Sequence, residues 1–187
     1  MVVKENFIET YDDFLPSNLT DNLESVFFNR DGCDPVLNFE YQENLSLNDN
    51  TTLKGDVGFS NIFYWEGVCK TETIYLLQPF YHFCFFKNIN PLFILRARAF
   101  IQAPSGKNII QKPHTDVDFS HWVFLYYVND SDGDTIFYNE QKEIIKRVAP
   151  KKGRVCFFDG NVYHSSSSPA NFTRSVININ FIGTLWK

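Results

Sequence analysis

The sequence lacks several features, and each absence excludes a class of protein. No segment is apolar over the length needed to cross a bilayer, and the first residues contain no run that fits a signal peptide. Basic residues are not in excess, since 17 Lys and Arg stand against 22 Asp and Glu, which disfavours nucleic acid as a partner. The four cysteines form no CxxC pair, so we expect free thiols in a reducing compartment. Together these absences predict a soluble, cytoplasmic protein without a membrane partner.

Aromatic residues, by contrast, are abundant. They make up 17% of the chain, which includes 20 Phe, and the hydrophobic fraction reaches 44%. With 187 residues, the chain is long enough to bury a large apolar core without disulfides. We therefore expect a single globular domain over residues 1–187.

The first half of the sequence predicts helices joined by irregular connections. Apolar residues recur at helical spacing over residues 19–29 and again over residues 71–86, where Pro91 favours an end to the second helix. Between the two helices, residues 30–60 are rich in Asp, Asn, Gly and Ser, with one short strand predicted at VLNFEY. We expect this long excursion to act as a lid.

From residue 92 onward the pattern changes to short strands separated by turn residues. Several short strands without alternating helices are typical of an antiparallel sandwich or a jelly-roll barrel. The expected architecture is mainly β with supporting helices, in which residues 1–91 provide helical support and lid segments and residues 92–187 provide the β core. Six strands are predicted in this core, at residues 93–102, 123–129, 135–138, 144–148, 154–158 and 175–182.

A polar tripeptide, His114-Thr115-Asp116, precedes a strongly apolar strand. In an extended chain, residues two apart face the same side, so its histidine and aspartate can bind one ion. Alone, such a tripeptide is more often a polar turn. His164 follows fifty residues later and Arg174 ten after that. Two imidazoles and one carboxylate are the ligand set that holds ferrous iron with open coordination positions, and an Arg facing the same cavity is a bidentate partner for a carboxylate.

Through these residues the sequence resembles the iron(II)- and 2-oxoglutarate-dependent oxygenases, in their prolyl-hydroxylase-like branch. The resemblance covers about residues 92–181, through the motifs HTD, YYVNDSDGDTIF, GRVCFFDGNVYH and RSVININF. The stretch ILRARAF and the short length are similar to small members encoded by phages, which would work in the host cytoplasm. Two positions depart from the pattern: Asp132-Gly133 stands where the family often has Gly-Gly, and Arg174 stands where collagen-type enzymes use Lys.

The resemblance implies a double-stranded β-helix, which is a jelly-roll, cupin-like fold. It also implies that His114, Asp116 and His164 bind Fe(II), that Arg174 binds the distal carboxylate of 2-oxoglutarate, and that the Tyr127 hydroxyl bonds to the same carboxylate. The three metal ligands and the arginine are the expected catalytic residues. O2 would be the second cosubstrate, and ascorbate is a candidate reductant.

The implied reaction is hydroxylation of a C–H bond, with succinate and CO2 as co-products. Our first expectation for the substrate is a prolyl residue in a peptide or protein. One alternative is the same chemistry on a free amino acid, another small molecule or a nucleobase. A second alternative, from a different class, is a metal-binding cupin-like barrel without catalysis.

Strand parity and position give further candidates. Asn178 lies four residues after the predicted cosubstrate-binding arginine, so it shares the same strand face and is added to the cofactor-binding set. Arg96 and Arg98 also share one face, from which they either pair with nearby carboxylates, the favoured interpretation, or reach an acidic substrate. Asp118 and Phe119 directly follow the histidine-aspartate pair and are candidates for the rim of the substrate site.

Overall fold

The computed structural model describes residues 7–28, 37–43 and 57–185, and the part of the chain it describes contains eleven strands and two α-helices. The strands are β1 (Ile8–Tyr11), β2 (Glu40–Gln42), β3 (Gly58–Trp65), β4 (Val68–Cys69), β5 (Ile89–Gln102), β6 (Trp122–Tyr127), β7 (Thr135–Tyr138), β8 (Ile144–Val148), β9 (Val155–Asp159), β10 (Tyr163–Ser166) and β11 (Arg174–Leu185). The helices are α1 (Ser17–Phe28) and α2 (Gln78–Phe86), and a 3-10 helix (Thr71–Leu77) leads into α2.

Two antiparallel sheets form the body of the protein. The major sheet has the order β1-β9-β6-β11-β5-β3-β2, with β4 added beside β3. The minor sheet has the order β10-β7-β8. Several strands that are adjacent in the major sheet are distant in sequence, as in the long pairing of β11 with β5. The predicted mainly β architecture with supporting helices is confirmed.

The major sheet is apolar on both faces. Successive side chains of a strand point to opposite faces, so in β6 Phe124 and Tyr126 join one core while Val123, Leu125 and Tyr127 join another. The same alternation runs through β9. In β11, Ile177, Ile179 and Phe181 join the first core, while the opposite face carries Val176 beside polar residues. A sheet that is covered on both faces needs a layer of other elements on each side.

One of these layers is helical. Phe80 and Phe83 of α2 are fully buried against the sheet, and the ring of Phe83 lies 5.3 Å from that of Phe124. Burial of each such ring contributes roughly 1.5–3 kcal/mol. The abundance of Phe in the sequence is thus explained by an aromatic layer between the helices and the sheet, away from the polar side chains described below.

The second core lies between the two sheets. Phe137 of β7 packs against Phe158 of β9, with ring centroids 4.9 Å apart, and Val148 of β8 closes the layer. The histidines, aspartate and arginines singled out in the sequence lie at the edges of this inter-sheet space. Its apolar filling keeps water away from the polar groups at either end.

The first half contains more strand than the sequence predicts. The expected helical support is present, but β1 and β3 join the major sheet, and β3 pairs along β5 from Gly58 to Trp65. The predicted boundary between residues 91 and 92 falls inside β5, which begins at Ile89. The stretch GFSNIFYW, which forms β3, was not predicted as a strand because polar residues and a bulge between Ile62 and Tyr64 interrupt its two-residue period.

The second predicted helix is divided. Residues 71–77 form a 3-10 helix, and the α-helix starts at Gln78, with Pro79 at its first turn. Proline has no backbone N–H to donate inside a helix, and its ring clashes with the preceding turn, so it is accepted only at a helix start. The single helix expected over residues 71–86 is therefore wrong in its first half.

The sequence contains a run of four serines, residues 165–168, part of which lies in the minor sheet. Ser165 and Ser166 belong to β10, a strand that was not predicted, which pairs with β7. Ser168, beyond the strand end, is fully buried, and its hydroxyl accepts a hydrogen bond from Gln111. Small hydroxyl side chains fit here because two strands and a loop approach one another closely.

Several other expectations meet the structure only in part. Most of the predicted lid, residues 30–60, lies outside the described residues, although β2 overlaps the expected short strand. Cys69, Cys84 and Cys156 are free thiols as predicted, while Cys33 lies outside the described residues. Among the helices that the structure describes, none has the length and apolarity that a membrane span requires.

Candidate metal centre

His114 and His164 face each other across a two-residue bridge. The backbone N–H of each donates to the carbonyl of the other at 2.9 Å, which forms an isolated antiparallel bridge outside the longer strands. Their ring centroids lie 4.9 Å apart. Backbone hydrogen bonds thus hold these two histidines, which are fifty positions apart in the sequence, side by side without the help of an ion.

The orientation of both rings is fixed by local contacts. Nδ1 of His114 lies 3.2 Å from the carbonyl oxygen of Lys112, and Nδ1 of His164 lies 3.0 Å from that of Val162. A carbonyl accepts only from a protonated nitrogen, so Nδ1 of each ring faces a backbone acceptor and Nε2 is the nitrogen left to face a cation. Burial lowers the pKa of His164 to about 4, which keeps this ring neutral and able to bind a cation near neutral pH.

Asp116 completes the group. Its Oδ1 lies 3.9 Å from Nε2 of His114 and its Oδ2 lies 3.9 Å from Nε2 of His164. Burial alone would raise the pKa of the carboxyl, but His164, Arg96 and a hydrogen bond from Asn180 outweigh it and hold the pKa well below its usual range. The carboxylate is therefore charged, as a metal ligand must be.

These three side chains form a suitable donor set for one ion. All their ligand atoms lie within 4.8 Å of one another. They are the cluster of metal-ligating side chains found among the described residues. A metal–ligand bond measures about 2.1 Å, so atoms 3.9 Å apart can reach the same ion. Two neutral imidazoles and one carboxylate, without thiolates, suit Fe(II) and leave coordination positions open.

A second polar cluster lies deeper between the sheets. Thr135 accepts hydrogen bonds at its Oγ1 from Tyr127, at 2.7 Å, and from Arg174, at 3.0 Å. All three side chains are buried. Burial also raises the pKa of Tyr127, so its hydroxyl stays protonated and available as a donor. A guanidinium beside two hydroxyls in a buried space is a suitable partner for a carboxylate.

Thr135 was missed as a functional residue at the level of the sequence. It lies within the quoted YYVNDSDGDTIF motif, and it begins β7, opposite Ser166 of β10. Its role follows from sheet pairing, which brings β7 over the Arg174 end of β11. The motif could have pointed to Thr135, but its role is evident only from its hydrogen bonds with Arg174 and Tyr127.

The departure at Asp132-Gly133 is explained by space. A Cβ atom at Gly133 would lie 2.8 Å from the carbonyl oxygen of Ser167 and 3.1 Å from Cδ of Arg174. The second glycine of the family pattern is therefore required here. Asp132, at the first position, is half-buried and accepts hydrogen bonds from the backbone N–H groups of Asn171 and Phe172, so a side chain is tolerated there and holds the neighbouring loop.

The remaining predicted residues are spread over the two ends. Asn178 lies beside the metal group, with its Nδ2 3.4 Å from Oδ2 of Asp116. Arg98 is buried with its guanidinium 3.8 Å from the centre of the Phe100 ring, and burial lowers the pKa of Arg98 to about 9. Asp118 and Phe119 are exposed in the loop that follows Asp116.

Arg96 takes the favoured of its two expected roles, since it pairs with a carboxylate. Its Nη2 lies 3.2 Å from Oδ1 of Asp116, so it pairs with the carboxylate of the metal group itself. This contact links the loop that contains Asp116 to strand β5. No local sequence pattern could have identified this partner.

No protein-family model matches the sequence, and no curated protein matches it. Solved structures do match. A viral collagen prolyl hydroxylase from Paramecium bursaria Chlorella virus-1, in complex with 2-oxoglutarate, is similar over 98% of this chain and 99% of its own, with TM-score 0.57 and 15% identity. A prolyl hydroxylase from Trichoplax adhaerens, bound to a peptide of the hypoxia-inducible-factor oxygen degradation domain, is similar over 94% and 83%, with TM-score 0.63 and 17% identity.

A third match is a non-heme, α-ketoglutarate-dependent carbocyclase of nogalamycin biosynthesis, similar over 97% of this chain and 83% of its own, with TM-score 0.64 and 11% identity. At such identities the likeness concerns the fold. The double-stranded β-helix predicted from the motifs is confirmed, and so is the structural likeness to prolyl hydroxylases and other 2-oxoglutarate oxygenases. A phage origin stays a prediction.

Proposed function

We propose that this protein is an Fe(II)- and 2-oxoglutarate-dependent dioxygenase that hydroxylates a C–H bond. The observation that carries the proposal is the pairing of two sites in one inter-sheet space. His114, Asp116 and His164 provide a three-ligand metal group, and Arg174 with Thr135 provides a buried carboxylate-binding cluster. A barrel that only stores or binds a metal needs the first group and not the second.

The cofactors supply the oxidising chemistry when bound: Fe(II) activates O2 while 2-oxoglutarate is decarboxylated to succinate and CO2, which provides the oxidant that hydroxylates the substrate. His114, Asp116 and His164 would hold the metal, and Arg174 would bind the distal carboxylate of 2-oxoglutarate. Thr135 and Tyr127 would bind the same carboxylate through their hydroxyls.

The residues of this chain orient the metal ligands and exclude water from the site. The Nδ1 contacts of the two histidines hold Nε2 toward the metal position in the resting protein, so little reorganisation is needed on loading. Val123 and Leu125 belong to the apolar cluster between the two sheets and would line the space that the cosubstrate occupies. They exclude water and protect the chain's own side chains from the oxidant.

For the substrate we propose a prolyl residue in a peptide or protein. Two of the matched structures support it, since one is a collagen prolyl hydroxylase and the other holds a peptide. Asp118 and the half-exposed Phe119 follow the metal ligands and would meet such a substrate at the rim. The matched nogalamycin carbocyclase favours a small molecule as the second candidate.

A direct test is anaerobic addition of Fe(II) and then 2-oxoglutarate to the metal-free protein. We expect a weak visible charge-transfer band that requires both, together with a rise in melting temperature. Absence of both signals would remove the oxygenase proposal and leave the non-catalytic, cupin-like barrel.

The substrate is tested separately by succinate release against proline-containing peptides, free amino acids, other small molecules and oligonucleotides, with and without ascorbate as reductant. Asp116→Ala is the control. Succinate release that persists in this variant would show that the assigned ligands are wrong. Release with a free amino acid but with no peptide would favour the second candidate.

A further inference from the structure

We infer that Arg96 is a positioning residue for the metal centre, which holds Asp116 so that the carboxylate offers a single oxygen to the ion. The inference rests on the proposed metal site and concerns a residue outside the ligand set. It assigns to a strand residue of β5 a role that neither the motifs nor the family pattern quoted above contain.

The first support is a closed ring of contacts. Nη2 of Arg96 lies 3.2 Å from Oδ1 of Asp116 and 3.2 Å from Oδ1 of Asn180, while Nδ2 of Asn180 donates to Oδ2 of Asp116 at 2.7 Å. Each side chain therefore touches the other two. A carboxylate held at both oxygens cannot rotate about its terminal bond.

The second support is the scaffold under this ring. Arg96 and Asn180 are directly opposite each other in the β5–β11 ladder, and directly opposite side chains lie on the same face of a sheet. Asp116, in contrast, lies in a loop. Arg96 and Asn180 are thus fixed by the major sheet, and their contacts hold the loop residue Asp116 in place.

The third support is burial. The side chain of Arg96 is 16% exposed and that of Asp116 is 9% exposed, so their attraction is weakly screened by solvent. Asn180 is completely buried. Loss of the arginine would release Oδ1 of Asp116 and leave the carboxylate held at Oδ2 alone. The released oxygen could then also approach the ion and occupy a coordination position that the cosubstrates need.

Cobalt(II) is a suitable probe, because its visible spectrum reports coordination number and its binding can be titrated without turnover. We expect Arg96→Met to raise the Kd for Co(II) roughly ten- to a hundredfold, the usual range when the partner of a metal ligand is lost. The d–d bands of the bound ion should also change in shape and intensity.

Two further variants make the test specific. Arg96→Lys keeps the charge on a shorter side chain, whose ammonium cannot occupy the position from which Nη2 contacts both Asp116 and Asn180, so it should restore part of the affinity and leave the spectrum altered. Arg147→Met removes a matched pair, that of Arg147 with Asp134 at 3.5 Å on β8, and should leave both the Kd and the spectrum unchanged.

The inference would be overturned if Arg96→Met and Arg96→Lys both bound Co(II) with the wild-type affinity and spectrum. Should the methionine variant fail to fold, as judged by thermal melting, the lysine variant alone decides between altered and unaltered spectra. The proposed function fails separately: wild-type protein that binds no Co(II), or an Asp116→Ala protein that binds it normally, would remove the metal site itself.

Discussion

The two ends of the inter-sheet space are built in different ways. At the metal end, the ligands come from a loop and from the short strand β10, and each is held by added contacts: backbone carbonyls for the histidines, and Arg96 with Asn180 for the aspartate. At the carboxylate end, Arg174, Thr135 and Tyr127 belong to strands and bond to one another.

The metal end thus depends on contacts added around its ligands, whereas the other end depends on the strands that carry its residues. Under the proposed function, the metal end would accept and release an ion, and it places one carboxylate and two imidazoles with their ligand atoms close together. The carboxylate end would bind an organic anion, and it is assembled from rigid strands and buried hydroxyls. We therefore expect mutations at the carboxylate end to weaken binding of the organic anion and to spare the metal.

The largest expected effect is loss of the metal by Asp116→Asn. The amide has the same shape but no charge, and it supplies a weaker ligand between two neutral imidazoles. The Kd for Co(II) should rise by more than about a hundredfold, beyond the range for loss of an outer partner. Isothermal titration measures this. The matched control is Asp134→Asn, a partly exposed carboxylate near the other end, for which an equal loss would contradict the assignment.

A second prediction concerns pH in the metal-free protein. The pKa of His164 is lowered from 6.5 to about 4, mainly by burial, so between these values the unfolded chain binds a proton that the folded protein does not. The free energy of unfolding should therefore fall as the pH drops from 6.5 to 4, by roughly 3 kcal/mol, and His164 should contribute no further change below pH 4.

Urea denaturation at a series of pH values measures this slope. In His164→Gln the slope between pH 4 and 6.5 should be smaller, since the titrating group is gone. An unchanged slope in that variant would show that the histidine is not the cause and would weaken the interpretation of a neutral, buried ligand.

The third prediction addresses the carboxylate end. Thr135→Val keeps the shape of the side chain and removes the hydroxyl that accepts from both Arg174 and Tyr127. We expect a loss of about 1–3 kcal/mol in the free energy of unfolding and a roughly tenfold weaker affinity for 2-oxoglutarate, which corresponds to about 1.4 kcal/mol.

Affinity for Co(II) should not change in Thr135→Val, because the metal ligands keep their contacts. The matched control is Thr184→Val on the exposed end of β11, which should change stability by less than about 0.5 kcal/mol. A parallel loss of Co(II) binding in the Thr135 variant would show that the two ends are coupled.

The ease of prediction from sequence also differs between the two ends. His114, Asp116 and His164 could be found because the chemistry of a metal limits residue types, and motifs preserve their spacing. The partners of Arg96 and the role of Thr135 could not be predicted, because they depend on which strands are neighbours in the sheets. The register that places Arg96 opposite Asn180 links residues 84 positions apart, and no local period carries that information.

The same reason explains the errors in the fold. Turn residues on either side of short strand-forming runs located β6, β7, β8, β9 and β11. The strand β3 was missed because polar residues and a bulge between Ile62 and Tyr64 interrupt its pattern. The long helix was predicted through Pro79, where steric competition with the preceding turn outweighs apolar spacing.

The smallest expected effect tests from which end the substrate approaches. Phe119 follows the metal ligands and is 50% exposed, while Phe172, near the carboxylate end, is 64% exposed. Neither ring fills the core, so alanine at either position should change stability by no more than about 0.5 kcal/mol. If substrate enters at the metal end, Phe119→Ala should raise KM for a proline-containing peptide severalfold and leave kcat unchanged, because binding lost equally in the ground and transition states affects KM alone. Phe172→Ala should leave both constants unchanged, and a rise in KM confined to Phe172→Ala would place substrate entry at the carboxylate end.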